Sequence, residues 1–178
     1  MKHLVKLTMI AALAIMMIAC GNGKLKVEDL EKAEVSLYNE DMTANKEAFP
    51  EVYDLFCQYV EQNPDAEDAP DWLFKALNLS FQFKEPQESI GLLDKLMKQY
   101  PSYRNTPVGM FMVASLIYEE KLGELGQARM LYEKLIEEYP DSDFVPSAQQ
   151  SILNLGKTPE EIIQGFEIMP MDTVELEF

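Results

Sequence analysis

EVYDLFCQYVEQNP at residues 51–64, ESIGLLDKLMKQYP at 88–101 and QARMLYEKLIEEYP at 127–140 are three versions of one segment. Aligned on their last residues, Pro64, Pro101 and Pro140, they superpose Leu55 with Leu92 and Leu131, Phe56 with Leu93 and Tyr132, Tyr59 with Leu96 and Leu135, and Val60 with Met97 and Ile136. The columns lie three and four residues apart, which is the spacing of one α-helical face. The prolines recur after 37 and 39 residues. A period of that size predicts a stacked array of helical repeats.

The remaining segments read as helices as well. Residues 27–38 carry a stripe of Val27, Leu30, Ala33 and Leu37, and the polar run Asn39 to Asn45 interrupts it. Helix resumes near Pro50 and stops at Pro64. Asp68-Ala69-Pro70 opens a helix over about 70–83, because aspartate caps free N–H groups and proline suits a first turn. Glu85-Pro86 and Thr106-Pro107 repeat that start signal for helices reaching Tyr100 and about Lys121. Gly123 and Gly126 flank a turn, and a further helix ends at Tyr139. Pro146 begins a short helix with Gly156 as its left-handed cap. Thr158-Pro159-Glu160-Glu161 is a capping box opening the last helix, which fades near Met169. Residues 169–178 alternate apolar and acidic side chains, as either an extended tail or a short strand.

These helix pairs resemble the tetratricopeptide repeat (TPR). In that family the second helix of a pair has a small residue twelve before the proline and an aromatic eight before it. Val52, Ser89 and Ala128 hold the first position here, and Phe56, Leu93 and Tyr132 the second. The first helix carries a large residue, a small one and a bulky one, matched by Trp72, Ala76 and Leu79 and by Met110, Ala114 and Ile117. Val52 is larger than the pattern, and Leu96 and Leu135 stand where alanine is common. The resemblance covers about residues 50–168. It implies an all-α fold of antiparallel helix pairs stacked as a short right-handed TPR-like solenoid, a fold that binds protein partners and is not an enzyme. The stretch YEKLIEEYPDSDFVPSAQQSILNLGKT resembles the bacterial envelope subgroup, which serves outer-membrane β-barrel assembly and the Tol-Pal system.

The start of the chain is read separately. Lys2, His3 and Lys6 precede an uncharged run from Leu7 to Ala19, which is too short to span a bilayer as a helix. The run fits a signal peptide. Met17-Ile18-Ala19-Cys20 with Gly21 resembles a lipobox, which implies cleavage after residue 19 and acylation of Cys20. The expected organisation is a signal peptide over 1–19, a flexible tether over 20–26, a repeat domain over 27–168 and a tail over 169–178. The expected location is the bacterial cell envelope, on the outer membrane facing the periplasm.

Charge and composition narrow the chemistry. The formal net charge is −16. Removal of residues 1–19 takes away Lys2 and Lys6 and no acid, leaving −18 (13 basic residues against 31 acidic). Such a surface repels nucleic acid and anionic headgroups, so membrane attachment rests on acyl chains and partners are basic or neutral. With Cys20 acylated, Cys57 has no intrachain partner and no disulfide is expected. His3 is the only histidine, so the mature chain lacks imidazole for acid–base catalysis or metal binding. Glu133 with Glu137, and Asp141 with Asp143, lack calcium-loop spacing and read as solvated faces and turns. No cofactor or metal is expected.

In such arrays the first helix of each pair lines the hollow side. The resemblance places Leu73, Leu77, Phe81, Phe111, Ser115 and Tyr118 in a partner-binding groove suited to an extended or helical segment of an envelope protein. The same residues also fit a core covered by the N-terminal helix or the tail. The function implied is a lipid-anchored interaction scaffold or assembly factor. The alternative is an accessory subunit packing edge-on, through Ile162, Ile163 and Phe166 on the last helix.

Overall fold

The computed structural model describes residues 24–167. Cys20, the segment 1–19 and the tail 169–178 lie outside the described residues. Within them the fold is all-α. The helices are α1 (Val27–Val35), α2 (Phe49–Gln62, after a 3-10 turn at Lys46–Ala48), α3 (Ala69–Phe83), α4 (Pro86–Gln99), α5 (Thr106–Met112), a π-helical segment (Val113–Lys121), α6 (Leu125–Glu138), α7 (Val145–Asn154) and α8 (Pro159–Glu167). One isolated antiparallel bridge joins Tyr38 and Ala44.

The repeat is visible first in the loops. The residue before each repeat proline cannot continue the helix, because the proline ring clashes with helical backbone there. Asn63, Tyr100 and Tyr139 therefore adopt nearly one conformation, with φ of −136°, −131° and −132° and ψ of 54°, 56° and 58°. Each N–H closes the last turn on the carbonyl four residues back, at 2.9 Å, to Tyr59, Leu96 and Leu135. Two tight turns follow at matching offsets: Ala66 to Asn63 and Ala69 to Ala66, Tyr103 to Tyr100 and Thr106 to Tyr103, Ser142 to Tyr139 and Val145 to Ser142. One loop is thus built three times from unlike sequences.

The chain divides into two compact units, Met1–Trp72 and Leu73–Phe178. In the first, α1 packs on α2, and the Leu25 N–H donates to the Gln62 side chain at 2.8 Å. Leu30, Val52, Phe56 and Val60 are fully buried there. The Asp68 carboxylate accepts from the Tyr59 hydroxyl at 2.9 Å and from the Trp72 indole at 2.8 Å. Trp72 also lies 5.1 Å from the Phe56 ring. The aspartate expected as a helix cap thereby also ties the end of α2 to the start of α3.

The second unit has the paired-helix packing of a TPR-like solenoid. The small and bulky positions fall where the pattern requires: Ala76, Ala114, Ala128, Met110, Ile117, Leu93, Tyr132 and Leu135 are all buried. Each large apolar side chain buried this way contributes about 1.5–3 kcal/mol. Ser80 and Ser89, both buried, share a 2.7 Å hydrogen bond between α3 and α4. The predicted capping box is present, with the Thr158 N–H donating to Glu161 at 2.8 Å and the Glu161 N–H to the Thr158 hydroxyl at 3.2 Å. Gly123 and Gly156 take φ of +66° and +78°. The single helix predicted over 107–121 is corrected: it winds as α-helix only to Met112 and as π-helix from Val113 to Lys121. Its last turns close with the Leu122 N–H on the Ile117 carbonyl at 2.9 Å and the Glu124 N–H on the Tyr118 carbonyl at 2.7 Å.

Candidate functional site

The six residues expected to line one groove have separate surroundings. Leu73, Leu77 and Phe81 are buried, so they support α3 from within the core and offer no free surface. Phe111 is half-buried and stacks between Tyr132, at 5.5 Å, and Phe144, at 5.3 Å. The Ser115 hydroxyl faces the Tyr132 hydroxyl, which in turn donates to Glu119 at 3.2 Å. Burial is the main reason that the Tyr132 phenol is pushed up to about 12, with Glu119 adding to it and hydrogen bonds from Ser151 and Ser115 working against it.

Of the six, Tyr118 lines a cleft, at whose floor lies the buried Val113. The winding explains this. Residues five apart on an α-helix diverge by about 140°, so Val113 and Tyr118 would not share a face there. A π-helix closes its hydrogen bonds over five residues, and brings the two together. The resemblance places Phe111, Ser115 and Tyr118 on one face; the π-helical winding puts Tyr118 with Val113 instead.

The cleft is walled on one side by Ile90, Asp94 and Met97 of α4 and on the other by Met130, Leu131 and Lys134 of α6. Ile90, Asp94 and Met97 follow helical spacing, and so do Met130, Leu131 and Lys134 together with Gln127, so the walls are two helix faces. The volume between them is about 200 Å³. Met130 is 63% exposed, and methionine is a flexible, polarizable side chain that adapts to varied partners. The cleft is not wholly apolar. Asp94 pairs with Lys98 at 3.6 Å, and Lys134 with Glu138 at 3.8 Å, on its rims. Burial first, then Asp94 and Glu124, raise the Tyr118 phenol above its ordinary value. Tyr118 therefore stays a neutral donor at physiological pH.

The family model of the tetratricopeptide repeat matches residues 110–142. That stretch is similar to a tetratricopeptide repeat. The match runs from Met110 of α5 through the π-helical segment and α6 to the turn beyond Pro140. It includes Tyr118, Met130, Leu131 and Lys134 of the cleft. No curated protein matches the chain. The tetratricopeptide repeat is in general a protein-interaction fold without enzymatic activity, and its partners are typically proteins.

Proposed function

We propose that the protein is a lipid-anchored interaction scaffold of the bacterial cell envelope, held by acylated Cys20 and engaging an envelope protein through the cleft between α4 and α6. The observation that carries the reading is the pair of facing helix walls, with the exposed Met130, the neutral Tyr118 hydroxyl and an Asp94 and a Lys134 at the rims. An apolar floor with polar rims suits a helix or extended segment. The buried Leu73, Leu77 and Phe81 hold the supporting helix, and Phe111 and Ser115 hold Tyr132, so their part is to shape the surface. The uncharged run before Cys20 and the acidic mature chain support attachment by acyl chains, and the likeness of YEKLIEEYPDSDFVPSAQQSILNLGKT to the envelope subgroup supports an outer-membrane anchor facing the periplasm. A tether of this kind raises the effective concentration toward a partner in the same membrane.

The test is photo-crosslinking in cells from a benzophenone residue at Met130 or Tyr118, alongside labelling with an alkyne fatty acid. The expected result is label that Cys20→Ser abolishes, and one envelope protein captured from both positions and lost in Cys20→Ser. Self-crosslinks alone at both positions defeat the cleft reading, and label that persists in Cys20→Ser defeats the anchor. A second reading, edge-on packing into a larger complex, is favoured by the exposed Leu153 of α7 and Ile163 of α8. Crosslinks from Ile163 with none from Met130 select it.

A further inference from the structure

The reversal after α1 sets two physical preferences aside at one residue. The Asn39 N–H donates to the Thr43 carbonyl at 2.8 Å and the Met42 N–H to the Asn39 carbonyl at 2.9 Å, beneath the Tyr38–Ala44 bridge. A reversal this tight needs a residue in the left-handed region, where glycine or asparagine is the usual choice. Met42 occupies it, with φ of 64°. Its side chain is also 75% exposed, so a large apolar group stands in water on backbone that disfavours any side chain. Such a conformation persists only where its surroundings impose it. Here the Asp41 carboxylate accepts from the Thr43 N–H at 3.0 Å and hydroxyl at 2.6 Å, and Asn39 donates to that hydroxyl at 2.9 Å. Asn45 donates to the Ser36 carbonyl at 2.9 Å. These hydrogen bonds hold the backbone that displays Met42 before any partner arrives, which lowers the cost of binding.

Val35 and Tyr38, exposed by 73% and 54%, stand beside Met42 around a shallow concavity of about 570 Å³. Glu31, Glu34 and Glu40 line its edge, and among the described residues no basic one does. We propose that this concavity is a second docking surface, and that its occupant is a cationic amphipathic segment of another protein. Apolar side chains of that segment cover Val35, Tyr38 and Met42, and its Lys or Arg side chains meet Glu31 and Glu40. Charge complementarity selects the occupant. A second copy of this chain would set the same glutamates against each other, and an anionic bilayer would be repelled by them. The inference stands independently of the cleft in the second unit.

The test uses the full chain and a fluorescein-labelled helical peptide with one leucine face and one lysine face. Met42→Gly with Val35→Ser removes apolar surface while giving the reversal the residue its backbone prefers. Affinity should fall about tenfold. Glu31→Gln with Glu40→Gln should weaken binding and flatten its salt dependence. Glu133→Gln with Glu137→Gln removes two acids from α6 and should change nothing. A peptide with glutamate for lysine should not bind. The proposal is overturned if the α6 pair weakens binding as much as the Glu31 and Glu40 pair, or if Met42→Gly with Val35→Ser leaves affinity unchanged. It is also overturned if that variant abolishes a dimer seen by sedimentation, or binding to phosphatidylglycerol vesicles, while the peptide fails to bind.

Discussion

The hydroxyl of Tyr139 donates to the carbonyl of Pro101 at 3.0 Å. Tyr139 is the residue before one repeat proline, and Pro101 is the proline of the repeat before it, so equivalent loops are tied directly. Tyr139→Phe removes only this hydroxyl, on an exposed loop. It should lower unfolding free energy by about 0.5–1 kcal/mol, measured by urea denaturation of the full chain.

Small residues mark close approaches in the second unit. A Cβ on Gly109 would meet the Leu77 side chain at 3.2 Å and the Leu93 side chain at 3.3 Å. Both leucines are fully packed and cannot easily yield, so Gly109→Ala should destabilise by about 1 kcal/mol despite alanine's higher helix propensity. Ala128→Leu adds more volume at a buried helix crossing and should cost about 1–3 kcal/mol. Denaturant midpoints of the two variants check the order.

Two buried tyrosines predict alkaline sensitivity. Tyr59 is pushed up to about 12 by burial first and then by Asp68, and Tyr132 is pushed up to about 12 chiefly by burial. In the unfolded chain both phenols ionise near 10. The folded state therefore holds its protons where the unfolded state has released them. The associated stability is complete below about pH 10 and is lost as pH rises toward about 12. Urea midpoints should fall over that window, and Tyr59→Phe with Tyr132→Phe should flatten the fall.

Lys121, the last residue of the π-helical segment, donates from Nζ to the Phe81 carbonyl at 2.9 Å. That carbonyl belongs to the last turn of α3, where helix carbonyls lack partners and a cation is favoured. Lys121→Met keeps the stem and removes the charge. It should lower stability by about 0.5–1 kcal/mol and speed amide exchange in the last turn of α3.

The helices and their ends were legible before any coordinates, because their causes are local. The prolines at 64, 101 and 140, the Thr158–Glu161 box and Gly156 each act over a few residues. So does the three-and-four spacing that marks Tyr132 and Leu135 as core; Ala128 follows from the family resemblance. The groove was not legible in the same way. Leu73, Leu77 and Phe81 look as suited to an exposed trough as to a core, and only neighbours distant in sequence cover them. The family resemblance places Tyr118 in a binding surface together with Phe111 and Ser115, but the π-helical winding separates it from them and pairs it with Val113. Met130, one of the most exposed apolar residues beside the cleft, stood in the aligned segments without being singled out. It aligns with Asp54 and Gly91, off the shared core columns, and that mismatch of a large apolar residue with a polar and a glycine position is the signal the sequence offers. Met42 sat in a run read only as a polar break.

Sequence by itself determined where helices start and stop, which face of each is apolar and where the chain must turn, since backbone sterics, capping and periodicity operate within one or two helical turns. Tertiary structure decided which apolar faces meet and which stay open, because burial depends on residues brought together from α4, the π-helical segment and α6, whose packing no single window of sequence contains.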